Sequence, residues 1–334
     1  MKIQVLSPKN SRRDLFLTPK SSSALEAAGT VAWNLLGRQY TQEELACAVR
    51  EADVLVTGWD CPRITAKTVK AAGRCPGLIA HMGGTVAPYI EPELYSMGLR
   101  TVSANDIFAK SVAEGTVADI LASLRDIPYW NAEVQAGRWR PDDHGSRSLS
   151  GKKVGLVGYG TITRYLIPLL RAFETDIWLY SGHMTPEACA ALGVRKAELA
   201  EIFAECDVIS LHCSLTDKTH HLVNAGLLRT IRDGALFVNT ARAGVIDTQA
   251  LEEELKKGRF NAVLDVFDEE PLPEGSALRG LRNVILTPHM AGPAADLYEP
   301  IGMEMVREIE RWRDGFPLRY EIGREEACRM TAKG

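Results

Sequence analysis

Short apolar runs alternate with amphipathic stretches along most of the chain. In the first hundred residues the runs Lys2–Leu6, Asp53–Gly58, Gly77–His81 and Arg100–Ala104 read as strands with helical stretches between them. This alternation predicts a small parallel α/β unit. From Ala109 to Trp139 the apolar positions Val112, Val117, Ile120, Leu121, Leu124 and Ile127 roughly keep helical spacing. A polar segment, Arg140 to Leu149, follows. A more regular series then begins, with strand-like runs at Lys153–Val157, Asp176–Tyr180, Asp207–Leu211, Ala235–Asn239, Asn261–Asp265 and Val284–Thr287. The pattern predicts a six-stranded, doubly wound parallel sheet. Leu297, Ile301, Met305, Ile309 and Trp312 mark a last helical stretch, Ala294 to Arg313. After it the tail Leu318–Ile322 is expected to return to the first unit as a strand or extended segment.

The expected division is therefore discontinuous. Residues 1–104 and 295–334 form the smaller domain and residues 105–294 the larger. The two long helices are expected to cross between domains and to act as a hinge over a cleft.

Composition narrows the class. The 334 residues can form two cores, and 46% hydrophobic with 25% charged residues is ordinary for a globular protein. A net charge of -4 gives no reason to expect nucleic acid or an anionic membrane as partner. No apolar run approaches a membrane span. The N-terminal M-K-I-Q-V-L-S-P-K-N lacks the long apolar stretch of a signal peptide. Seven cysteines without C-x-x-C spacing suggest a reduced, cytoplasmic setting, and no metal site is expected.

One strand runs into a glycine-rich turn. In V-G-L-V-G-Y-G-T-I-T (Val154 to Thr163), Gly158 permits the tight turn. Gly160 lets backbone approach a pyrophosphate at the positive end of the helix that starts with Thr161 and Ile162. Thr163 stands where a third glycine is usual, and a β-branched residue there is expected to hold the helix away from the strand. The next strand ends in Ser181-Gly182-His183, where sites for NAD usually place a carboxylate. Without one, NAD and NADP both remain open. Ser181 could donate a hydrogen bond and His183 could add partial positive charge.

Three later runs each end in a chemically useful residue. Arg242 follows A-L-F-V-N-T-A, Glu270 follows N-A-V-L-D-V-F-D-E, and His289 follows N-V-I-L-T-P. If these runs are parallel strands, a cation, a carboxylate and an imidazole all lie beyond carboxyl ends, where open α/β sheets bind ligands. Such a trio suits proton transfer on a small anionic substrate. Singly, each has a plainer role: a loop cap, a buried histidine, a surface ion pair.

With these strings, L-H-C-S-L-T-D-K-T (Leu211 to Thr219), and the segment Ser103 to Glu114, the chain resembles the D-isomer-specific 2-hydroxyacid dehydrogenases. The resemblance is strong from about Gly151 to Gly292 and weaker before it. It implies a Rossmann cofactor domain plus a smaller flavodoxin-like α/β substrate domain. It implies His289 as the acid/base, Glu270 as its partner, and Arg242 as the group that binds substrate carboxylate and keto oxygen. A carboxylate beside the ring favours imidazolium, ready for keto-acid reduction. Asp265 would contact the nicotinamide carboxamide. Thr240, Ala241 and Cys213 would line the nicotinamide pocket, with His212, Ser214, Thr219 and Ala291 among the cofactor contacts. Met82, Gly83 and Gly84 would meet the substrate through backbone N–H groups.

Some positions depart from the family. Ala243 follows Arg242 where many relatives have glycine, which would be strained if the position needs positive φ. Ser214 replaces a frequent proline. The loop His81-Met82-Gly83-Gly84-Thr85-Val86 lacks the usual Asp.

The resemblance implies a homodimer and a soluble enzyme transferring hydride between NAD or NADP and a small D-2-hydroxy acid, of phosphoglycerate or hydroxypyruvate/glyoxylate type. The alternative is a dinucleotide-sensing binding protein of the same fold with little turnover.

Overall fold

The computed structural model describes residues 1–331. The chain divides into two compact units: Met1–Phe108 with the chain from Pro293 onward, and Ala109–Gly292.

The first unit holds β1 (Lys2–Val5), β2 (Thr30–Trp33), β3 (Val54–Thr57), β4 (Leu78–His81) and β5 (Arg100–Ser103), in the order β2-β1-β3-β4-β5, all parallel. This is the flavodoxin-like order. β3 and β4 are buried on both faces, so they read as continuous apolar runs. Alternate residues feed two cores. Val54, Val56, Leu78 and Ala80 pack with Phe16, Leu25, Ile301, Met305 and Ile309. Leu55 and Ile79 pack with Leu45, Val49 and Val69. β2 carries no clear apolar run because this edge strand, T-V-A-W, is half exposed. The tail does return, antiparallel to β5: Ser103 N–H donates to Tyr320 O at 3.1 Å and Ile322 N–H to Thr101 O at 2.8 Å.

The second unit holds β6 (Lys153–Val157), β7 (Asp176–Tyr180), β8 (Arg195–Lys196), β9 (Val208–Leu211), β10 (Leu236–Asn239), β11 (Asn261–Leu264) and β12 (Val284–Leu286). The order is β12-β11-β10-β9-β6-β7-β8, all parallel. The doubly wound sheet thus has seven strands rather than six. The added strand is two polar residues at the edge, with no apolar run to betray it. Strand order reverses between β6 and β9, which makes their carboxyl ends the switch point.

The stretch from Ala109 to Trp139 is not one helix. Helices span Asn105–Leu124 and Ile127–Gln135, broken where Asp126 takes the left-handed conformation (φ 56°) ahead of Pro128. The chain passes from the first unit to the second within helix Asn105–Leu124. It passes back at Gly292–Pro293, in a loop ahead of the helix Tyr298–Arg313, so the second crossing is not helical as expected.

Candidate active site

The glycine-rich turn is built by close backbone approach. Gly158 has φ 107°, and a Cβ there would lie 2.7 Å from the Cys213 amide nitrogen. Only glycine lets the end of β6 run this close to the end of β9. Gly160 precedes the helix Thr161–Arg171, supplies no capping side chain, and has open space where a Cβ would be. A helix start without a side-chain cap, reached through open space, fits a phosphate. Thr163 does not merely space the helix. It is fully buried, and its hydroxyl donates to Gly158 O at 2.8 Å, tying the helix back to the turn.

At the end of β7, Ser181 is buried and its hydroxyl accepts from His183 N–H at 3.3 Å. Gly182 and His183 are exposed. Beside them stands a residue the sequence reading passed over. Lys196, on β8, donates to Met184 O at 2.6 Å and Ser181 O at 3.4 Å. Nothing local flagged it, since β8 itself was not recognised.

Several expected cofactor contacts have inward side chains. His212 is buried, 2.9 Å from the Ser210 hydroxyl through Nε2, and burial pulls its pKa down to about 4. The buried ring therefore stays neutral near pH 7. Burial pushes the Cys213 thiol up to about 11, which disfavours the thiolate. Thr219 closes the turn that begins at Ser214, donating to Ser214 O at 2.6 Å. The Thr240 hydroxyl meets that of Thr116 at 3.1 Å, and Ala241 N–H donates to Asn239 Oδ1 at 3.0 Å.

Arg242, Glu270 and His289 follow the carboxyl ends of the adjacent strands β10, β11 and β12. Arg242 donates to Ala241 O at 2.6 Å. Burial lowers its pKa, and the charge of Glu270 opposes that shift. Ala243 opens a short 3-10 turn and is not among the residues with positive φ, so the expected strain is absent. Glu270 uses both oxygens: Oε1 accepts Phe267 N–H at 3.1 Å and Oε2 lies 2.7 Å from His289 Nδ1. It caps its own loop and holds the imidazole at once. The Glu270–Pro271 peptide is cis.

Asp265 is buried beneath this turn. Its carboxylate accepts the Thr287 hydroxyl (2.6 Å) and the amides of Met290 (2.8 Å) and Ala291 (2.9 Å). Those bonds shape the residues on either side of His289, which itself sits at φ 52°. Helix Asn105–Leu124 presses on the same segment: a Cβ at Gly115 would come 2.4 Å from Ala291 O.

In the first unit, Met82 is buried and Gly83 and Gly84 follow β4. His81 is the plain strand-end histidine. Its Nδ1 lies 2.9 Å from Thr57 Oγ1, and burial lowers its pKa to about 3. Lys110 is exposed. Among the described residues no group of His, Cys, Asp and Glu is placed to hold a metal, and no helix is long and apolar enough to cross a membrane.

The model of the D-isomer specific 2-hydroxyacid dehydrogenase NAD binding domain matches residues 117–291, the segment that carries the turn and the trio. The chain belongs to the D-isomer specific 2-hydroxyacid dehydrogenase family. It is 33% identical to a hydroxypyruvate reductase of Thermotoga maritima, over 80% of this chain and 87% of that one. It is 32% identical to a D-3-phosphoglycerate dehydrogenase of Methanocaldococcus jannaschii, over 81% of this chain but 52% of the relative. The chain thus spans about half the length of the phosphoglycerate dehydrogenases it matches. Among solved structures, the TT0316 protein from Thermus thermophilus superposes with a TM-score of 0.76 at 28% identity, covering 96% of this chain and all (100%) of that one. Membership in this dehydrogenase family carries a nicotinamide-binding domain with it.

Proposed function

We propose that this chain catalyses reversible hydride transfer between a nicotinamide cofactor and a small D-2-hydroxy acid. The observation that carries the reading is the 2.7 Å pairing of His289 with Glu270 beyond two neighbouring strand ends, one strand from Arg242. Gly158, Gly160, Thr161 and Ile162 would hold the nicotinamide cofactor, which would supply the hydride donor or acceptor. The residues of the chain do the rest. Arg242 binds the substrate carboxylate and polarises the keto oxygen. Burial strengthens both effects by lowering the local dielectric. His289 Nε2 delivers a proton to that oxygen as the carbonyl is reduced, and Glu270 steadies the imidazolium through Nδ1. Asp265 fixes the turn that carries the ring. Within the first unit, the backbone of Gly83 and Gly84 after β4 is a separate candidate contact for an anion.

NADPH is the preferred cofactor in this reading. The end of β7 lacks the carboxylate that would repel a 2′-phosphate, and the Lys196 ammonium adds positive charge there. Two of its three N–H groups hold the loop, which leaves one for an anion. A homodimer is the proposed assembly. Ile127, Val134 and Trp139 are exposed apolar side chains of the second unit that a partner copy would cover.

The test follows cofactor oxidation with a panel of 2-keto acids and both nicotinamide cofactors, for the wild type and His289→Asn. Turnover that depends on one keto acid and collapses in His289→Asn supports the reading. Cofactor binding without turnover would favour a dinucleotide sensor instead.

A further inference from the structure

The loop that follows β4 lies beside an aromatic group. Trp59, two residues beyond β3, meets Phe108 edge-on with ring centroids 6.0 Å apart. It also meets Phe16 at 5.3 Å and Tyr298 at 6.3 Å, and Phe16 meets Tyr298 at 5.0 Å. Only Phe16 is fully buried; Trp59, Phe108 and Tyr298 each keep part of their surface in solvent. A Cβ at Gly84 would touch the Phe108 side chain at 3.8 Å, so the glycine backbone runs against that ring. A Cβ at Gly58 would lie 3.2 Å from Met82 Cε, which brings the Trp59 loop and the Met82 loop together. Two neighbouring backbone turns thus have an apolar wall next to them.

The same face is poor in cations. Met82 to Tyr89 contains neither lysine nor arginine. Arg12, which reaches this region, is paired with Asp60 at 3.2 Å, directly after Trp59. A phosphate carries nearly two negative charges and needs charge-assisted donors to leave water. An apolar group gains free energy in proportion to the area it buries. Partly exposed aromatic faces next to a carboxylate-binding loop meet the second need and not the first.

We infer that the preferred substrate is an unphosphorylated 2-keto acid with an apolar, branched or aromatic side chain, received by Trp59, Phe108 and Tyr298. The inference rests on the dehydrogenase reading and narrows it. The carboxylate lies on the Gly83–Gly84 backbone and the side chain R of R–CO–COO⁻ lies on the rings. Hydroxypyruvate gains little from such a wall, and the loop from Met82 to Tyr89 brings no cation to a phosphate.

The experiment uses the whole chain with NADPH and with NADH, and compares kcat/KM for glyoxylate, hydroxypyruvate, phosphohydroxypyruvate, 4-methyl-2-oxopentanoate and phenylpyruvate. The two apolar acids are expected to exceed hydroxypyruvate and phosphohydroxypyruvate by about tenfold or more. In Trp59→Asn the ratio of phenylpyruvate to glyoxylate should fall by about tenfold, and Trp59→Leu should restore most of it. A wild-type preference for hydroxypyruvate or phosphohydroxypyruvate would overturn the inference while leaving the dehydrogenase reading intact. So would an unchanged ratio in a folded Trp59→Asn. If that variant does not fold, the wild-type ranking decides alone. No turnover of any acid would overturn both.

Discussion

The backbone carbonyl of Asp265 accepts the amide of His289 at 2.9 Å, while the Asp265 carboxylate accepts the next two amides, at Met290 and Ala291. One residue at the end of β11 therefore dictates the path of the loop after β12. The left-handed φ of His289 is a conformation that a non-glycine residue holds only when its surroundings enforce it. Asp265→Asn replaces one acceptor oxygen with an amide donor that opposes the Met290 or Ala291 N–H. A charged hydrogen bond of this kind contributes about 1.5–3 kcal/mol. The expected result is a fall of roughly tenfold to a hundredfold in kcat for keto-acid reduction, with circular dichroism unchanged at assay temperature. An unchanged kcat in the folded variant would show that the turn does not depend on this carboxylate.

Glu270 has a separable effect, because it touches the imidazole directly. In Glu270→Gln the carboxylate oxygen 2.7 Å from Nδ1 gives way to a neutral amide. The imidazolium that forms or is consumed during proton transfer loses its counter-charge, so kcat should fall by roughly tenfold to a hundredfold in both directions while KM for the keto acid changes little. Steady-state kinetics of both directions check this, and an unchanged kcat in the folded variant would remove Glu270 from the proton-transfer machinery.

Cofactor choice is expected to turn on Lys196. Lys196→Ala removes the cation beside Ser181 and frees two carbonyls. KM for NADPH should rise about tenfold, equivalent to roughly 1.4 kcal/mol, with a much smaller change for NADH. Parallel titration of the two cofactors, by binding as well as by turnover, makes the comparison. Equal losses for both would mean that Lys196 only braces the loop.

Asp119 offers a test of stability. Burial, and then the negative charge of Asp265, raise its pKa from the ordinary 3.8 to about 6. Its carboxyl is therefore easier to protonate in the folded than in the unfolded chain. Below about pH 4 both states hold the proton and there is no penalty. As the pH rises through 6 the folded state must carry two neighbouring carboxylates, and stability is lost. Asp119→Asn should be more stable than the wild type by about 1–2 kcal/mol at pH 8, after allowance for solvent screening, and indistinguishable at pH 4. Melting curves at the two pH values decide it. A gain that persists at pH 4 would point to packing instead of charge.

Much of the architecture was written in local pattern. Strands of a parallel sheet covered on both faces are apolar, so β1, β3 to β7 and β9 to β12, the edge strands β5 and β12 among them, announce themselves as short runs, and the turn after β6 as glycines. The other two edge strands lack that signature, because β2 is half exposed along its length and β8 is only two polar residues. The trio Arg242, Glu270 and His289 was legible because each follows such a run and the strings resemble a family. Tertiary structure alone decided what these residues lean on. Thr163 became a tether, Asp265 the support of the histidine turn, Lys196 a cation at the β7 end, and Trp59 a neighbour of Phe108 and Tyr298. Periodicity and turn chemistry act between residues a few positions apart. Hydrogen bonds and ring contacts form wherever the fold brings atoms within reach, across separations that no local pattern records.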